Sequence, residues 1–66
     1  MKFKEGALVV DPRFGKGKVL LADWCWRGFI EEYLVVEFEG WQRHYSRWLF
    51  DGGLRLEDDW SHLKAI

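Results

Sequence analysis

The chain has 66 residues and a formal net charge of −1, with ten basic and eleven acidic side chains. This length suits one small domain, and the near-neutral balance excludes a protein that coats nucleic acid through its overall charge. The single cysteine, Cys25, excludes an internal disulfide and is typical of a reducing compartment, so we expect a cytoplasmic location.

The first predicted strand covers residues 6–10 and ends at a corner that contains Pro12. Proline fixes φ and lacks the backbone N–H that a strand ladder needs, so the strand stops there. We expect Gly15 and Gly17 to make the bends of this corner with positive φ angles, which glycine adopts without steric cost. Phe14 is a lone apolar residue between polar ones and is expected to plug the end of a barrel. A second strand follows.

A glycine-containing turn at residues 27–28 predicts that residues 18–26 pair with residues 29–38 in a long antiparallel ribbon. Because side chains alternate between the two faces of a strand, this pairing assigns each residue to the core side or to the outer side. On the core side the pairing joins three sets of residues, Val19 with Val36, Leu21 with Leu34, and Cys25 with Ile30. On the outer side it places Trp24 and Trp26, near aliphatic residues that a partner or the tail of the chain would cover.

A turn at residues 39–40 leads into a strand over residues 41–49, in which Trp41 and Tyr45 are expected to lie in the core. A loop of two residues or one of four would each place Tyr45 on the core side. The two-residue loop would also create two cross-strand pairs, Arg47 with Glu32 and Trp48 with Glu31. On the predicted ribbon register, the indoles of Trp24 and Trp48 would then flank the carboxylate of Glu31.

A glycine-rich turn at residues 51–53 precedes a closing strand over residues 54–56, whose two leucines are expected to face inward. After it, Asp58 or Asp59 can cap a short helix with Trp60 and Leu63 on one apolar stripe. No stretch has the length and hydropathy of a signal peptide or a membrane span, and we expect neither.

The string G-x-x-V-x-D-P-x-F-G-K-G-x-V begins at Gly6 and is followed by V-x-F at residues 36–38 and L-x-L at residues 54–56. This pattern resembles the C-terminal Tudor-like module of UvrD/PcrA-type DNA helicases. It is similar, more loosely, to CarD-type domains that interact with RNA polymerase. Two features depart from the pattern, namely Asp11, where those modules often carry histidine, and the tryptophan-rich insert at residues 24–26.

The resemblance covers residues 3–57 and implies an all-β fold, a five-stranded SH3-like or Tudor-like barrel. Residues 58–66 would add the short C-terminal helix, and the 66 residues together would form one domain. The resemblance also implies a non-catalytic module that binds a protein of the transcription or DNA-repair machinery, with RNA polymerase as the expected partner.

Three motifs that suggest chemistry have simpler interpretations. The glycine–lysine sequence at residues 15–18 lacks the spacing and the following helix of a phosphate-binding loop, so we interpret it as a structural corner. Cys25, His44 and His62 lack the spacing of a zinc site, and a buried thiol is expected instead. The carboxylates lie on predicted strands and turns, without the pocket that general acid–base catalysis needs. We therefore expect no metal, no cofactor and no enzymatic activity.

The aromatic and basic residues provide the strongest binding signal, because five tryptophans in 66 residues exceed the needs of so small a core. Large aromatics beside arginines are typical of protein interfaces and of single-stranded nucleic-acid sites. The predicted partner-binding residues are Trp24, Trp26, Arg27, Arg43, Arg47 and Trp48. Nucleic-acid binding through the strand at residues 41–49 is the main alternative, and its affinity would fall steeply with salt. A third alternative is a homo-oligomeric enzyme whose site forms between barrels.

Overall fold

The structure is a computed structural model that describes residues 3–26, 30–49 and 55–66, with residues 49 and 55–59 described by their backbone alone. Its elements are the strands β1 (Leu8–Asp11), β2 (Gly15–Trp26), β3 (Ile30–Phe38), β4 (Trp41–Leu49), β5 (Arg55–Asp58) and β6 (Lys64–Ala65), and a 3-10 helix at Asp59–His62. No helix among the described residues is long and apolar enough to cross a membrane.

The strands form one antiparallel sheet in the order β5-β4-β3-β2-β1-β6. β5 and β6 therefore lie at opposite edges, although only the 3-10 helix and Leu63 separate them along the chain. Because so short a connection must bring the two edges close together, the sheet curls into a small barrel-like fold. The predicted all-β class is confirmed.

The tail of the chain differs from the predicted helix. Residues 59–62 make a single 3-10 turn, and β6 then adds a sixth strand to the expected five. Trp60 and Leu63 are buried as predicted, with the Trp60 ring centroid 5.9 Å from that of Phe3. The helix ends after one turn because the residues that follow pair with the edge of β1. There the Ile66 N–H donates to the Leu8 carbonyl over 3.1 Å.

A β-bulge in β2 changes the predicted register of the long ribbon. The pairs that show it are Val19 with Val36, Leu21 with Val35, Ala22 with Leu34, and Cys25 with Glu31. Leu20 is the extra residue, so every later residue of β2 is displaced by one position. The predicted core positions of Leu21 and Cys25 are therefore wrong, and Leu21 is 40% exposed.

Among the described side chains, the buried core consists of Phe3, Val9, Val19, Leu34, Val36, Phe38, Tyr45, Trp60 and Leu63. Gly17 lies directly against it, since a Cβ there would be 2.7 Å from Cγ1 of Val36 and 2.9 Å from the Glu37 carbonyl oxygen. Gly15 has the predicted positive φ, 88°, and makes the bend. Gly17 lacks a positive φ, contrary to prediction, and is needed for close packing instead.

The turn between β3 and β4 has the two-residue form, with Phe38 paired to Trp41 and a φ of 80° at Gly40. Two predicted cross-strand pairs are confirmed, Arg47 with Glu32 and Trp48 with Glu31. Tyr45 is buried as predicted. Trp41 is 43% exposed, so its predicted core position is wrong. As the first residue of β4 it lies at the end of the barrel, outside the core.

Candidate interaction surfaces

The far end of the β2–β3 ribbon carries two exposed indoles, Trp24 and Trp26, each 59% exposed. They stand two residues apart on β2 and therefore share one face. Because the bulge shifts the register by one residue, Trp24 and Trp26 lie on the same face of β2 as Ala22, which packs against the core. The predicted outer-face position of both tryptophans is thus wrong, while their predicted exposure is confirmed.

The ion pair of Arg47 and Glu32 closes the core below these indoles. Arg47 donates from Nε to Oε1 of Glu32 over 3.1 Å, and its Nη2 lies 3.1 Å from the same oxygen. Its guanidinium carbon lies 4.2 Å from the Trp60 ring centroid. Glu32 is buried, and it pairs across the ribbon with Trp24. Arg47, a predicted partner-binding residue, is thus engaged within the fold, and its removal would leave a buried carboxylate without its counter-charge.

An open groove of about 480 Å³ lies between the amino-terminal segment and the ribbon. The residues that line it are Phe3, Lys4, Glu5, Ala22, Asp23 and Trp24. Its floor is apolar and its rim carries charges of both signs, which is the composition of a protein-binding rather than a phosphate-binding surface.

One backbone edge of β2 borders the same groove. The N–H and carbonyl of Val19 bond to the segment before β1, and beyond this point no strand in the described ranges pairs with that edge. The Trp24 N–H donates to Oδ1 of Asp23 over 2.8 Å, so a side chain occupies the place of a neighbouring strand. An edge with so little cover is a natural place for a partner to bind.

Trp48 does not join the tryptophans of the ribbon. It pairs with Glu31, which pairs in turn with Cys25, whereas Trp24 belongs to the row of Glu32 and Arg47. Adjacent rows point to opposite faces, so the predicted patch in which Trp24 and Trp48 flank Glu31 is wrong. Arg27, the remaining predicted member of that patch, lies outside the described residues.

The outer face of the ribbon has a shallow depression of about 450 Å³. Cys25, Glu31, Tyr33, His44, Tyr45 and Ser46 line it. Burial and the neighbouring charge of Asp23 raise the pKa of Tyr33, so its hydroxyl stays protonated and remains a donor. The described residues contain no cluster of three metal-ligating side chains, and Cys25 is half-buried rather than fully buried.

A second aromatic cluster lies at the opposite end of the barrel, where the turn after β1 meets the start of β4. Phe14 packs edge-on against Trp41 with ring centroids 5.1 Å apart, and Trp41 packs on Phe38 at 5.0 Å. The guanidinium carbons of Arg13 and Arg43 lie 4.9 and 5.0 Å from the Phe14 centroid. Phe14 thus covers the barrel end, as predicted, and the structure brings Arg43 to it.

Asp11 holds this second cluster in place. Its buried carboxylate accepts from the Arg13 backbone N–H at 2.8 Å, from Arg13 Nε and Nη2 at 3.1 and 2.9 Å, and from the Tyr45 hydroxyl at 2.9 Å. The hydrogen bonds from Arg13 hold the pKa of Asp11 well below its usual range, despite burial. Burial and the same carboxylate raise the pKa of Tyr45, so the phenol stays a donor.

Sequence reasoning did not find this cluster, because its residues come from segments far apart in the chain. One local pattern could have indicated part of it: Asp11 is followed by Arg13 and Phe14. An aspartate in a turn often accepts a hydrogen bond from the backbone N–H two residues later.

Comparisons of this chain with protein-family models, with curated proteins and with solved structures found no match.

Proposed function

We propose that this protein is a non-catalytic interaction module that docks on a protein of the transcription or DNA-repair machinery, with RNA polymerase as the first partner to test. The observation that carries the proposal is the pair of indoles, Trp24 and Trp26, on one face of a ribbon that projects past the core. The choice of RNA polymerase rests on the sequence resemblance to UvrD/PcrA-type and CarD-type modules.

The exposure of the two tryptophans supports docking on a protein. A fully exposed tryptophan side chain presents some 150–250 Å² of mostly apolar surface, and leaving most of it in water forgoes about 25 cal/mol per Å². In a chain this small, the indoles would stabilise the fold more if they were packed in the core. Large rigid aromatics with a polar handle are also the residues that dominate protein interfaces.

The surroundings of the indoles support the same partner class. The groove below Trp24 is apolar at its floor, and the free edge of β2 beside it offers backbone groups to a partner. Arg47, the nearest described arginine on this face, is neutralised by Glu32. A surface with this composition attracts a polyanion weakly, so we expect affinity for the partner to change little with salt.

The test is the affinity of the purified chain for purified RNA polymerase, measured by biolayer interferometry. Replacing Trp24 and Trp26 with alanine should weaken binding at least thirtyfold, since truncation of one true hot spot costs about 2 kcal/mol. Trp41→Ala is the matched control, because it removes an exposed indole at the other end of the barrel and should leave binding within about twofold.

Two results would contradict the proposal separately. Wild-type protein that does not bind RNA polymerase would remove this partner, and a double variant that binds as well as wild type would remove the ribbon as the site. The melting temperature of the double variant must stay close to that of wild type, since unfolding would show that the indoles belong to the core.

A further inference from the structure

The cluster of Phe14, Trp41, Arg13 and Arg43 at the barrel end plays no part in the proposed docking. Trp41 and Phe14 are 43% and 36% exposed, and their rings meet at an interplanar angle of 86°. The guanidinium carbons of Arg13 and Arg43 lie 4.9 and 5.0 Å from the Phe14 ring centroid. Nothing in the proposed docking through Trp24 and Trp26 requires these groups, since they lie at the opposite end of the barrel.

The charges of this cluster decide the class of ligand. An aromatic cluster without cations can bind a quaternary ammonium group over its ring faces. Here the Arg43 guanidinium approaches the central ring, while the charge of Arg13 is balanced by its ion pair with Asp11, so the cluster favours an anion over a further cation. A ligand with a flat ring and a nearby negative charge fits both the aromatic rings and the guanidinium groups of the cluster. Its ring can stack on the indole, and its anion can lie beside a guanidinium.

The geometry of Asp11 makes the arginine part of the cluster rigid. Arg13 is held by three hydrogen bonds to the buried Asp11, and its side chain nevertheless remains 37% exposed. Its position is therefore fixed before a ligand arrives, which lowers the entropic cost of binding. Asp11 is itself fully buried, accepts from Tyr45 and balances the charge of Arg13, so Arg13 acts as a positioned hydrogen-bond donor and Arg43 as the main cation of the cluster.

We propose that the Phe14–Trp41 cluster binds single-stranded nucleic acid, with one base stacked on Trp41 and the flanking phosphates beside Arg13 and Arg43. A single strand fits because its bases are free to stack, whereas the bases of a duplex are enclosed. The binding should depend little on sequence, since every base has a flat face on which an indole can stack.

The net charge of the chain sets the expected salt dependence. A chain at −1 has no global attraction for a polyanion, and Arg13 is paired with Asp11, so the local attraction comes chiefly from Arg43. An ionic contact to roughly one phosphate of a single strand gives a slope of about −0.7 in a plot of log K against log salt. A tenfold rise in salt should therefore weaken binding by about fivefold, much less than for a protein with a basic groove.

The experiment uses the full chain and a fluorescein-labelled twelve-nucleotide oligothymidylate, with anisotropy measured at low salt. Trp41→Ala should weaken binding by roughly 5- to 150-fold, the range for loss of one base–aromatic stack. Trp41→Phe keeps a ring and should recover most of that affinity. Trp24→Ala removes a more exposed indole from the far end of the barrel and should leave binding unchanged.

A second measurement on the wild-type protein covers the case in which Trp41→Ala fails to fold. Photocrosslinking to an oligonucleotide that carries 5-iodouracil should label the peptides that contain Phe14 or Trp41. A label on the Trp24–Trp26 peptide would overturn the proposal. So would the absence of oligothymidylate binding at low salt, equal losses in Trp41→Ala and Trp24→Ala, or equally tight binding of a duplex. None of these results bears on docking to RNA polymerase, which the ribbon variants test.

Discussion

Replacement of Gly17 by alanine tests the packing of the β2–β3 pair directly. The added Cβ would lie 2.7 Å from Cγ1 of Val36, 2.9 Å from Cδ1 of Phe38 and 2.9 Å from the carbonyl oxygen of Glu37. The two side-chain atoms belong to fully buried residues, and the third is a backbone atom of the paired strand. None can move without disturbing the core or the ladder, so we expect the clash to be relieved by displacement of β2.

The expected cost follows from these distances. Forcing extra atoms into a packed core typically costs about 1–3 kcal/mol, and valine at the same position should cost more than alanine. A domain of this length has a total stability of roughly 3–10 kcal/mol, so the substitution removes a large share. Each kcal/mol lowers the melting temperature of so small a domain by about 4–8 °C.

The assay is thermal unfolding followed by far-UV circular dichroism, with Gly15 as the matched comparison. Gly15 has a φ of 88° and open space around its missing side chain, so asparagine, which adopts positive φ more readily than most residues, should add some backbone strain there but no clash with the core. Asparagine at Gly17 should be as harmful as alanine or worse. A melting temperature in Gly17→Ala equal to that of wild type would refute the close approach of β2 and β3.

Two further predictions concern Asp11 and Cys25. Asp11→Asn should cost about 1–3 kcal/mol at neutral pH, because it weakens the bonds from Arg13 and Tyr45 to a buried group. The pKa of Asp11 is lowered in the fold, so its contribution to stability is complete above the ordinary carboxyl pKa and declines as pH falls from there toward the folded-state pKa. The difference in stability between the two proteins should therefore narrow steadily as pH falls from about 4 to about 2. A difference that stayed constant over that range would contradict this role. Cys25→Ala should change stability by less than about 1 kcal/mol and leave partner binding intact, since the thiol is half-buried on the outer face. Loss of binding in a folded Cys25→Ala protein, or a bound metal in the wild type, would show the reverse.

The sequence alone determined the elements that depend on neighbouring residues. Proline and glycine chemistry located the corner after β1 and the turn before β4. The two-residue form of that turn, one of the two loop lengths that the sequence allowed, predicted the Arg47–Glu32 pair. The strand and turn pattern predicted a small β module, the family resemblance implied the all-β barrel, and composition predicted more tryptophan than the core can hold. These features are local because a turn type, or the register next to it, depends on a few adjacent residues.

The tertiary structure decided where each exposed aromatic lies. Leu20, Leu21 and Ala22 are all apolar, so alternation could not reveal a bulge at residue 20, and one extra residue moved Trp24 and Trp26 to the other face. The cluster around Phe14 likewise depends on contacts between the turn after β1 and the start of β4, which are far apart in the chain. Such contacts form only when the sheet closes, because closure alone sets the distance between β1 and β4.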